Sequence, residues 1–406
     1  MLTLNKIVLE NGIKLIYESR PGSITSFCIG FEAGANMEEG YNPGVAHVAE
    51  HMLFKGTDTM KELEINKLCD EVFGFNNAMT NYPYCIYYGT TLSSDFNTGF
   101  KLYSDIILNP SFPEEGFKEE MDIIKEELKE WKDDVVQFCE DELLLNSFED
   151  RRLKELIIGN EESVDNITLE EIKNFYNEFY KPDNCVITVV SSLEFERILD
   201  AVKKYFGSWN KESCNKSVQP YEENKSGVYV KDREGINGAK IQYIFPIHNL
   251  EEREIKILTI FNSIFGEGTS CLLFDLIRTK HGLAYEVGSS IKNEKGIKLF
   301  SIYIATSEKN IDTVLSLIGE LLKKVKDLTE FFPRELIERT IKVLKLKREL
   351  KQEKSIELCK NLTTYEIMYG SAESLYDELE TVNSEEILKV LNKVLIKPSI
   401  QIIKPK

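Results

Sequence analysis

Two histidines and a glutamate lie at spacings that suit the binding of a metal ion. His47, Glu50 and His51 fall in a run compatible with a helix. A spacing of four residues places both imidazoles on one helix face, one turn apart, where they can bind one zinc ion. Glu50, three residues after His47, also faces the ion and can deprotonate a water molecule held there. The segment predicts one catalytic zinc per chain and requires a third protein ligand.

Residues 47–51, HVAEH, have the form H-x-x-E-H, the inverted zinc-peptidase motif. Residues 30–57, GFEAGANMEEGYNPGVAHVAEHMLFKGT, resemble the motif block of the pitrilysin, insulin-degrading enzyme and mitochondrial processing peptidase family. The resemblance covers essentially the whole chain, and the length matches the short, bacterial-type members that pair as homodimers. It implies a zinc metallopeptidase.

A long amphipathic helix predicted from Glu114 to about Asp133 contains the candidates for the third ligand. Spacing alone does not choose among its glutamates, which include Glu119, Glu120, Glu126, Glu127 and Glu130. The resemblance implies Glu127, about 76 residues after His51, with Glu126 as the alternative. It also implies that Glu120, two helical turns earlier, hydrogen-bonds a ligating histidine and fixes its tautomer.

The resemblance further assigns substrate contacts to Asn77, Ala78 and Thr80. In the family this segment is an edge strand, and such a strand can bind an extended peptide through main-chain hydrogen bonds. Phe75 departs from the family pattern, which more often has a second glycine there. An ordinary sheet strand is the alternative interpretation of these residues.

In the second half, residues 265–287 are similar to the family's second signature. The resemblance implies that Arg278 and Tyr285 bind substrate and, as hydrogen-bond donors, stabilise the tetrahedral oxyanion. By themselves an arginine near a helix end and a tyrosine in a strand are more typical of structural positions. Gly266 and Gly268 do not indicate a nucleotide site, because the rest of a phosphate-binding or dinucleotide fingerprint is missing.

The organisation of the 406 residues predicts two domains of similar size. We expect a metal-binding catalytic domain at 1–207, a polar linker at 208–226, and a substrate-supporting domain at 227–406. Residues 168–190 and 384–403 each read as a capped helix, a Lys-Pro and a β-branched strand, which indicates an internal duplication. The predicted fold class is α+β, with two similar domains that each have a mainly antiparallel sheet flanked by helices.

Local patterns place the remaining elements of the first half. Asn11-Gly12 predicts a hairpin turn. Thr59 and Glu62 predict a capping box for a helix that ends near Phe73. Residues 77–92 are β-rich.

The other two histidines, His248 and His281, lie in the second half of the chain. Neither has a partner at ligand spacing, and both are predicted to be structural or on the surface.

Composition excludes several classes of protein. The formal net charge of −18 argues against nucleic-acid binding and permits a preference for basic peptides, but such a charge is more often simply the mark of a well-solvated surface. No apolar run is long enough to span a membrane, and no targeting segment is visible. The cysteines are scattered without paired spacing, which favours free thiols in a reducing compartment and predicts a cytoplasmic protein.

These observations combine into one expectation of function. The chain is predicted to be a zinc metalloendopeptidase that hydrolyses peptide bonds in short or unfolded polypeptides through a zinc-bound water activated by Glu50. The resemblance to the short members of the family implies a homodimer with shared active sites, with zinc from one chain and Arg278 and Tyr285 from the other. The alternative is a non-catalytic peptide-binding or structural subunit of the same family, and no residue distinguishes a processing role from a degradative one.

Overall fold

The structure of the chain, a computed structural model, describes residues 4–216, 219–378 and 381–406. Its strands are β1 (Leu4–Val8), β2 (Lys14–Ser19), β3 (Ile24–Phe31), β4 (Phe73–Thr80), β5 (Cys85–Leu92), β6 (Cys185–Ser191), β7 (Gly227–Arg233), β8 (Ala239–Pro246), β9 (Ala284–Glu294), β10 (Ile297–Thr306) and β11 (Ser399–Pro405). Its α-helices are α1 (Val45–Leu53), α2 (Glu62–Val72), α3 (Phe96–Leu108), α4 (Phe117–Asp133), α5 (Val135–Ser147), α6 (Glu161–Asn166), α7 (Leu169–Phe179), α8 (Phe195–Phe206), α9 (Glu252–Gly266), α10 (Ile311–Asp327), α11 (Arg334–Gln352), α12 (Ser355–Tyr369) and α13 (Ser384–Val394).

The chain forms two compact units, and neither is continuous in sequence. The first comprises Met1–Leu128, Leu156–Gln219 and Leu350–Asp377, and the second comprises Lys129–Glu155, Pro220–Glu349 and Glu378–Lys406. The domains predicted from sequence are continuous, whereas here α5 belongs to the second unit and α12 to the first. The predicted linker includes residues 217 and 218, which lie outside the described residues, and the rest of it forms neither helix nor strand.

The first unit contains a six-stranded sheet in the order β1-β2-β6-β3-β5-β4. Only the β2–β6 pair is parallel. The predicted hairpin is present, since β1 pairs with β2 across a turn in which Gly12 has a φ of 102°. β6 is buried along its whole length because helices cover both faces of the sheet, which explains its continuous apolar sequence CVITVVS.

One face of this sheet packs on the main core, to which α1, α3, α7 and α8 contribute. The opposite face is covered by α12, whose Leu358, Cys359 and Leu362 join a smaller buried cluster. The helix approaches β3 so closely that a Cβ at Gly30 would lie 2.5 Å from the Thr363 methyl carbon. Glycine at this position therefore allows α12 to pack on the sheet.

The second unit contains a five-stranded sheet in the order β7-β11-β8-β10-β9. Only β7 and β11 are parallel, and the order matches β2-β6-β3-β5-β4 strand for strand. α5 packs on β8 and β11, as α12 packs on β3 and β6 in the first unit. The repeated topology confirms the internal duplication and the predicted α+β class with two sheets flanked by helices.

Two helix starts differ from the sequence interpretation. The Thr59–Glu62 capping box is wrong: α2 is capped at Lys61, whose N–H donates to Glu64. The Thr59 hydroxyl instead donates to Asp105, 2.9 Å away, a tertiary contact that the local pattern does not reveal. Thr168 caps α7 as expected, but α13 is capped by Asn383.

None of the helices within the described ranges combines the length and the hydropathy that a bilayer-spanning segment needs.

Candidate metal centre and active site

The helix that carries both histidines, α1, begins at a glycine. Gly44 has a φ of 101°, and a Cβ there would lie 2.6 Å from the Ile158 carbonyl oxygen, so only glycine fits without strain. The buried Glu38 carboxylate accepts hydrogen bonds from the backbone N–H groups of Gly44 and Ala46. It takes the place of a side-chain cap and fixes where the helix starts.

The two faces of α1 have different tasks. The apolar face lies in the main core, through Val45, Val48, Ala49, Met52 and Leu53. His47 and His51 project from the other face with ring centroids 4.5 Å apart. The alternation of apolar and polar residues along this helix therefore determines the pair of imidazoles locally.

Glu127, on α4, completes a group of three side chains that could hold a metal ion. Its Oε2 lies 3.9 Å from His47 Nε2 and 3.7 Å from His51 Nε2, and its side chain is 41% exposed. One potential ligand atom from each of the three residues lies within 4.8 Å of the other two. In the part of the chain that the structure describes, no other group of three His, Cys, Asp or Glu side chains meets in this way. Glu126, the alternative ligand, is exposed on the neighbouring position of the helix and is not in this group.

The donor set fits zinc. Two imidazole nitrogens and one carboxylate oxygen are the ligands of a catalytic zinc site with an open fourth position. At ordinary zinc–ligand distances of about 2.0–2.2 Å, tetrahedral ligands lie roughly 3.4 Å apart. The observed separations of 3.7 and 3.9 Å exceed this by only a few tenths of an ångström. His47 suits this role because burial, with the charge of His51, lowers its pKa to about 3 and keeps it neutral.

His51 has a carboxylate partner on the side away from Glu127. Its Nδ1 lies 2.7 Å from Glu120 Oε1, which directs Nε2 toward the ligand group. The other Glu120 oxygen is 2.6 Å from Lys55 Nζ. The hydrogen bond from His51, followed by that from Lys55, holds the pKa of Glu120 at about 2. Although burial opposes it, this hydrogen bond raises the pKa of His51.

Glu50 lies between the two histidines in sequence and is only 8% exposed. Thr80 Oγ1, on β4, donates to Glu50 Oε2 at 2.5 Å. Burial raises the pKa of Glu50, although this hydrogen bond and the charge of His51 lower it. A carboxylate of raised pKa beside a metal site is suited to accept a proton and then release it.

The strand that carries Thr80 lies at an edge of the first sheet. Among the residues that the structure describes, β4 pairs only with β5, in the register Asn77↔Tyr88 and Ala78↔Tyr87. The Ala78 N–H donates to the Asn77 side-chain oxygen at 2.9 Å and so points away from β5. Backbone groups on this side of the strand are therefore directed toward an open edge.

Arg278 and Tyr285 lie next to each other in the second unit. Arg278 is the fifth residue of a π-helical turn, Phe274–Lys280. Its Nη1 donates to the Tyr285 carbonyl at 2.8 Å, and its guanidinium lies over the Phe274 ring. Tyr285 is at the start of the edge strand β9 and is 58% exposed. The structure thus brings together the two residues that the resemblance assigns to one task.

Sequence reasoning missed two contacts in the first unit. It did not single out Lys55, because a spacing of four residues from His51 does not by itself indicate a contact with Glu120 of α4. It assigned Thr80 to substrate binding and did not identify the hydrogen bond from its hydroxyl to Glu50. No local pattern joins Thr80 to Glu50, since they are thirty positions apart.

Comparison with known sequences and structures defines the class of protein. Residues 14–161 match the family described as Insulinase (Peptidase family M16), and residues 166–344 match Peptidase M16 inactive domain. His47, His51 and Glu127 all lie within the first match. The chain therefore belongs to the peptidase M16 family.

Relatives extend over most of the chain. A protein of Rickettsia bellii named an uncharacterized zinc protease is 28% identical, covering 95% of this chain and 93% of its own. The uncharacterized zinc protease YmxG of Bacillus subtilis is 26% identical over 80% of this chain and 78% of its own. Among solved structures, a protease from Helicobacter pylori has a TM-score of 0.89 at 18% identity, with both chains fully covered. A peptidase M16 inactive domain from Pseudomonas fluorescens has a TM-score of 0.87 at 17% identity, covering 100% of this chain and 98% of its own. The structural likeness supports the two-unit fold.

Proposed function

We propose that this protein is a zinc-dependent endopeptidase that hydrolyses peptide bonds in short or unfolded polypeptides. The observation that carries the proposal is the convergence of His47, His51 and Glu127 on one point, with the buried Glu50 on the same helix as the histidines. The names of the relatives, zinc proteases, support the same metal and reaction.

The roles of the residues follow from their chemistry. When bound, zinc supplies a Lewis acid that polarises the scissile carbonyl and lowers the pKa of water. His47, His51 and Glu127 would hold the ion, and Glu120 would keep His51 in the tautomer that leaves Nε2 available. Glu50 accepts the proton of the attacking water and delivers it to the departing amine. Arg278 and Tyr285 donate hydrogen bonds to the oxyanion that develops on the carbonyl.

We propose that the substrate binds as an added strand beside β4. The open edge at Asn77 and Ala78 supports this, because an extended peptide can pair with outward backbone groups without a specific side-chain sequence. Only a segment free to adopt an extended conformation can bind in this way. We therefore expect cleavage of unstructured peptides and resistance of stably folded domains.

We further propose a homodimer in the cytoplasm. The chain carries both the metal ligands and the Arg278–Tyr285 pair, so two copies can complete two sites by exchange, with each pair serving the partner's metal centre. All eight cysteines are free thiols, which supports a reducing compartment.

The test compares wild-type protein with Glu50→Gln on a library of unstructured peptides, analysed by mass spectrometry with and without chelator. Wild-type protein should produce internal cleavages that stop when zinc is removed and resume when it is restored. Glu50→Gln should retain zinc and lose nearly all turnover, because the amide preserves size but cannot act as the base. Peptide binding without cleavage by zinc-loaded wild-type protein would instead identify a non-catalytic subunit.

A further inference from the structure

A line of five polar side chains extends from the proposed base into the core of the first unit. It begins at Glu50, whose Oε2 is 2.5 Å from Thr80 Oγ1. Thr80 Oγ1 is 3.5 Å from Cys85 Sγ, which is 3.3 Å from the Tyr87 hydroxyl. Tyr87 and Tyr180 hydroxyl oxygens are 2.7 Å apart. All but Thr80, which is half-buried, have side chains almost excluded from solvent.

The number of available protons gives this line a direction. Each hydroxyl or thiol has one proton to donate, and an ionised carboxylate can only accept. Since Thr80 donates to Glu50, its contact with Cys85 is a hydrogen bond only if the thiol donates to Thr80. In that arrangement Tyr87 donates to Cys85 and Tyr180 to Tyr87, whereas in the opposite one the Cys85 thiol donates to the Tyr87 hydroxyl and no proton lies between Cys85 and Thr80. Every proton in the first arrangement points toward the Glu50 carboxylate, and hydrogen bonds so aligned strengthen one another.

The inner members keep their protons. Burial raises the pKa of the Cys85 thiol to about 12. It also raises the pKa of Tyr87 and of Tyr180 well above the usual value for tyrosine. A buried donor without an acceptor is costly, so the line also gives each of these groups a partner in the apolar core.

We propose that Thr80 and Cys85 are positioning residues that fix the carboxylate of Glu50, with Tyr87 and Tyr180 completing a hydrogen-bonded chain behind them. The inference rests on the proposed function, in which Glu50 is the base. A glutamate side chain rotates about three bonds, whereas a base must present one oxygen in one place. Thr80 holds Oε2 and so leaves Oε1 to accept the proton. The same strand then has two tasks: its backbone edge receives the peptide, and its last side chain orients the base.

Kinetics of matched variants give the first test. Thr80→Val keeps the shape and the backbone of β4 but removes the hydroxyl, whereas Thr80→Ser restores it. We expect kcat to fall about 10- to 100-fold in Thr80→Val, as for other misplaced catalytic groups, with KM and zinc content unchanged. Thr80→Ser should return kcat to within about threefold of wild type, since the donor is present again. Equal kcat in Thr80→Val and wild type, or equal loss in both variants, overturns the proposal.

Infrared spectroscopy of the S–H stretch gives a readout that does not depend on turnover and is made on zinc-free protein. The difference between wild type and Cys85→Ala isolates the Cys85 band from those of the other cysteines. The band should lie at the lower frequency of a donating thiol, move up in Thr80→Val and in Glu50→Gln, and stay in Thr80→Ser. A band at the free-thiol frequency in wild type, or one that Thr80→Val does not move, overturns the chain.

The two readouts separate this inference from the proposed function. If wild-type protein cleaves peptides but Thr80→Val has full kcat and an unmoved band, the inference fails and the peptidase assignment stands. If zinc-loaded wild type cleaves nothing while the band responds to Thr80→Val and Glu50→Gln, the peptidase assignment fails and the chain still holds Glu50. Tyr180→Phe provides a conservative second variant at the far end, where we expect a smaller loss of kcat, about two- to threefold.

Discussion

The two units share a strand order but differ in the helices that come after their equivalent strands. After β3 comes α1, with two histidines and a glutamate directed away from its apolar face. After β8 comes α9, which has no histidine, and then the π-helical turn that contains Arg278. The same arrangement of strands thus carries a group of potential metal ligands in the first unit and the hydrogen-bond donors Arg278 and Tyr285 in the second. The comparison teaches that topology provides positions, while individual side chains decide the chemistry.

The histidines of the second unit show the difference most directly. His281 Nδ1 contacts the Leu276 carbonyl at 2.8 Å, and His248 stacks on Tyr221 with Glu223 nearby. Neither belongs to a converging ligand group among the residues that the structure describes. Both therefore have the structural or surface role that the sequence predicts for isolated histidines.

Removal of a metal ligand should produce the largest effect and the sharpest contrast between the units. His51→Ala or Glu127→Ala should lose zinc and lower peptidase activity by roughly three orders of magnitude or more, since the Lewis acid is gone. His281→Ala, in the second unit, is the matched control and should keep both. Metal analysis by mass spectrometry measures the zinc content. Full zinc in Glu127→Ala would contradict this ligand assignment and indicate Glu126.

Mixed dimers test whether the donors of one chain serve the metal centre of another. Glu50→Gln homodimers lack the base, and homodimers of Tyr285→Phe with Arg278→Ala lack the oxyanion donors. After co-expression, one whole site per mixed dimer should restore up to about a quarter of wild-type activity with random pairing in a twofold dimer. Activity that stays at the level of the mutants, with mixed dimers shown by differential tags, would rule out shared sites.

Removal of one backbone N–H from the edge strand β4 should weaken peptide binding, even though no functional side chain is changed. Ala78→Pro removes an N–H that points away from β5, so the sheet itself keeps its hydrogen bonds. We expect KM for an unstructured peptide to rise about tenfold with kcat little changed, because one main-chain bond to the added strand is lost. Ala78→Ser keeps the N–H and serves as the control. An unchanged KM in Ala78→Pro would place the substrate elsewhere.

Features encoded by neighbouring residues could be predicted from sequence. The hairpin at Gly12, the helix that presents His47 and His51, and the long α4 follow from spacing, turn residues and apolar periodicity. The third ligand could not be chosen in this way, because Glu126 and Glu127 differ by about 100° around the helix. Which one faces the histidines depends on how α4 packs, and the resemblance to a known family supplied that information.

The amino-acid sequence by itself determined the pair of imidazoles and the glutamate beside them, since one turn of helix fixes their relative positions. Tertiary structure alone decided that Thr80 reaches Glu50, that Lys55 reaches Glu120, and that α12 covers the first sheet. These contacts join residues far apart in the chain, and each is selected by burial of a shared apolar surface rather than by any local preference. For the same reason Thr59 donates to Asp105 instead of capping the helix that comes after it.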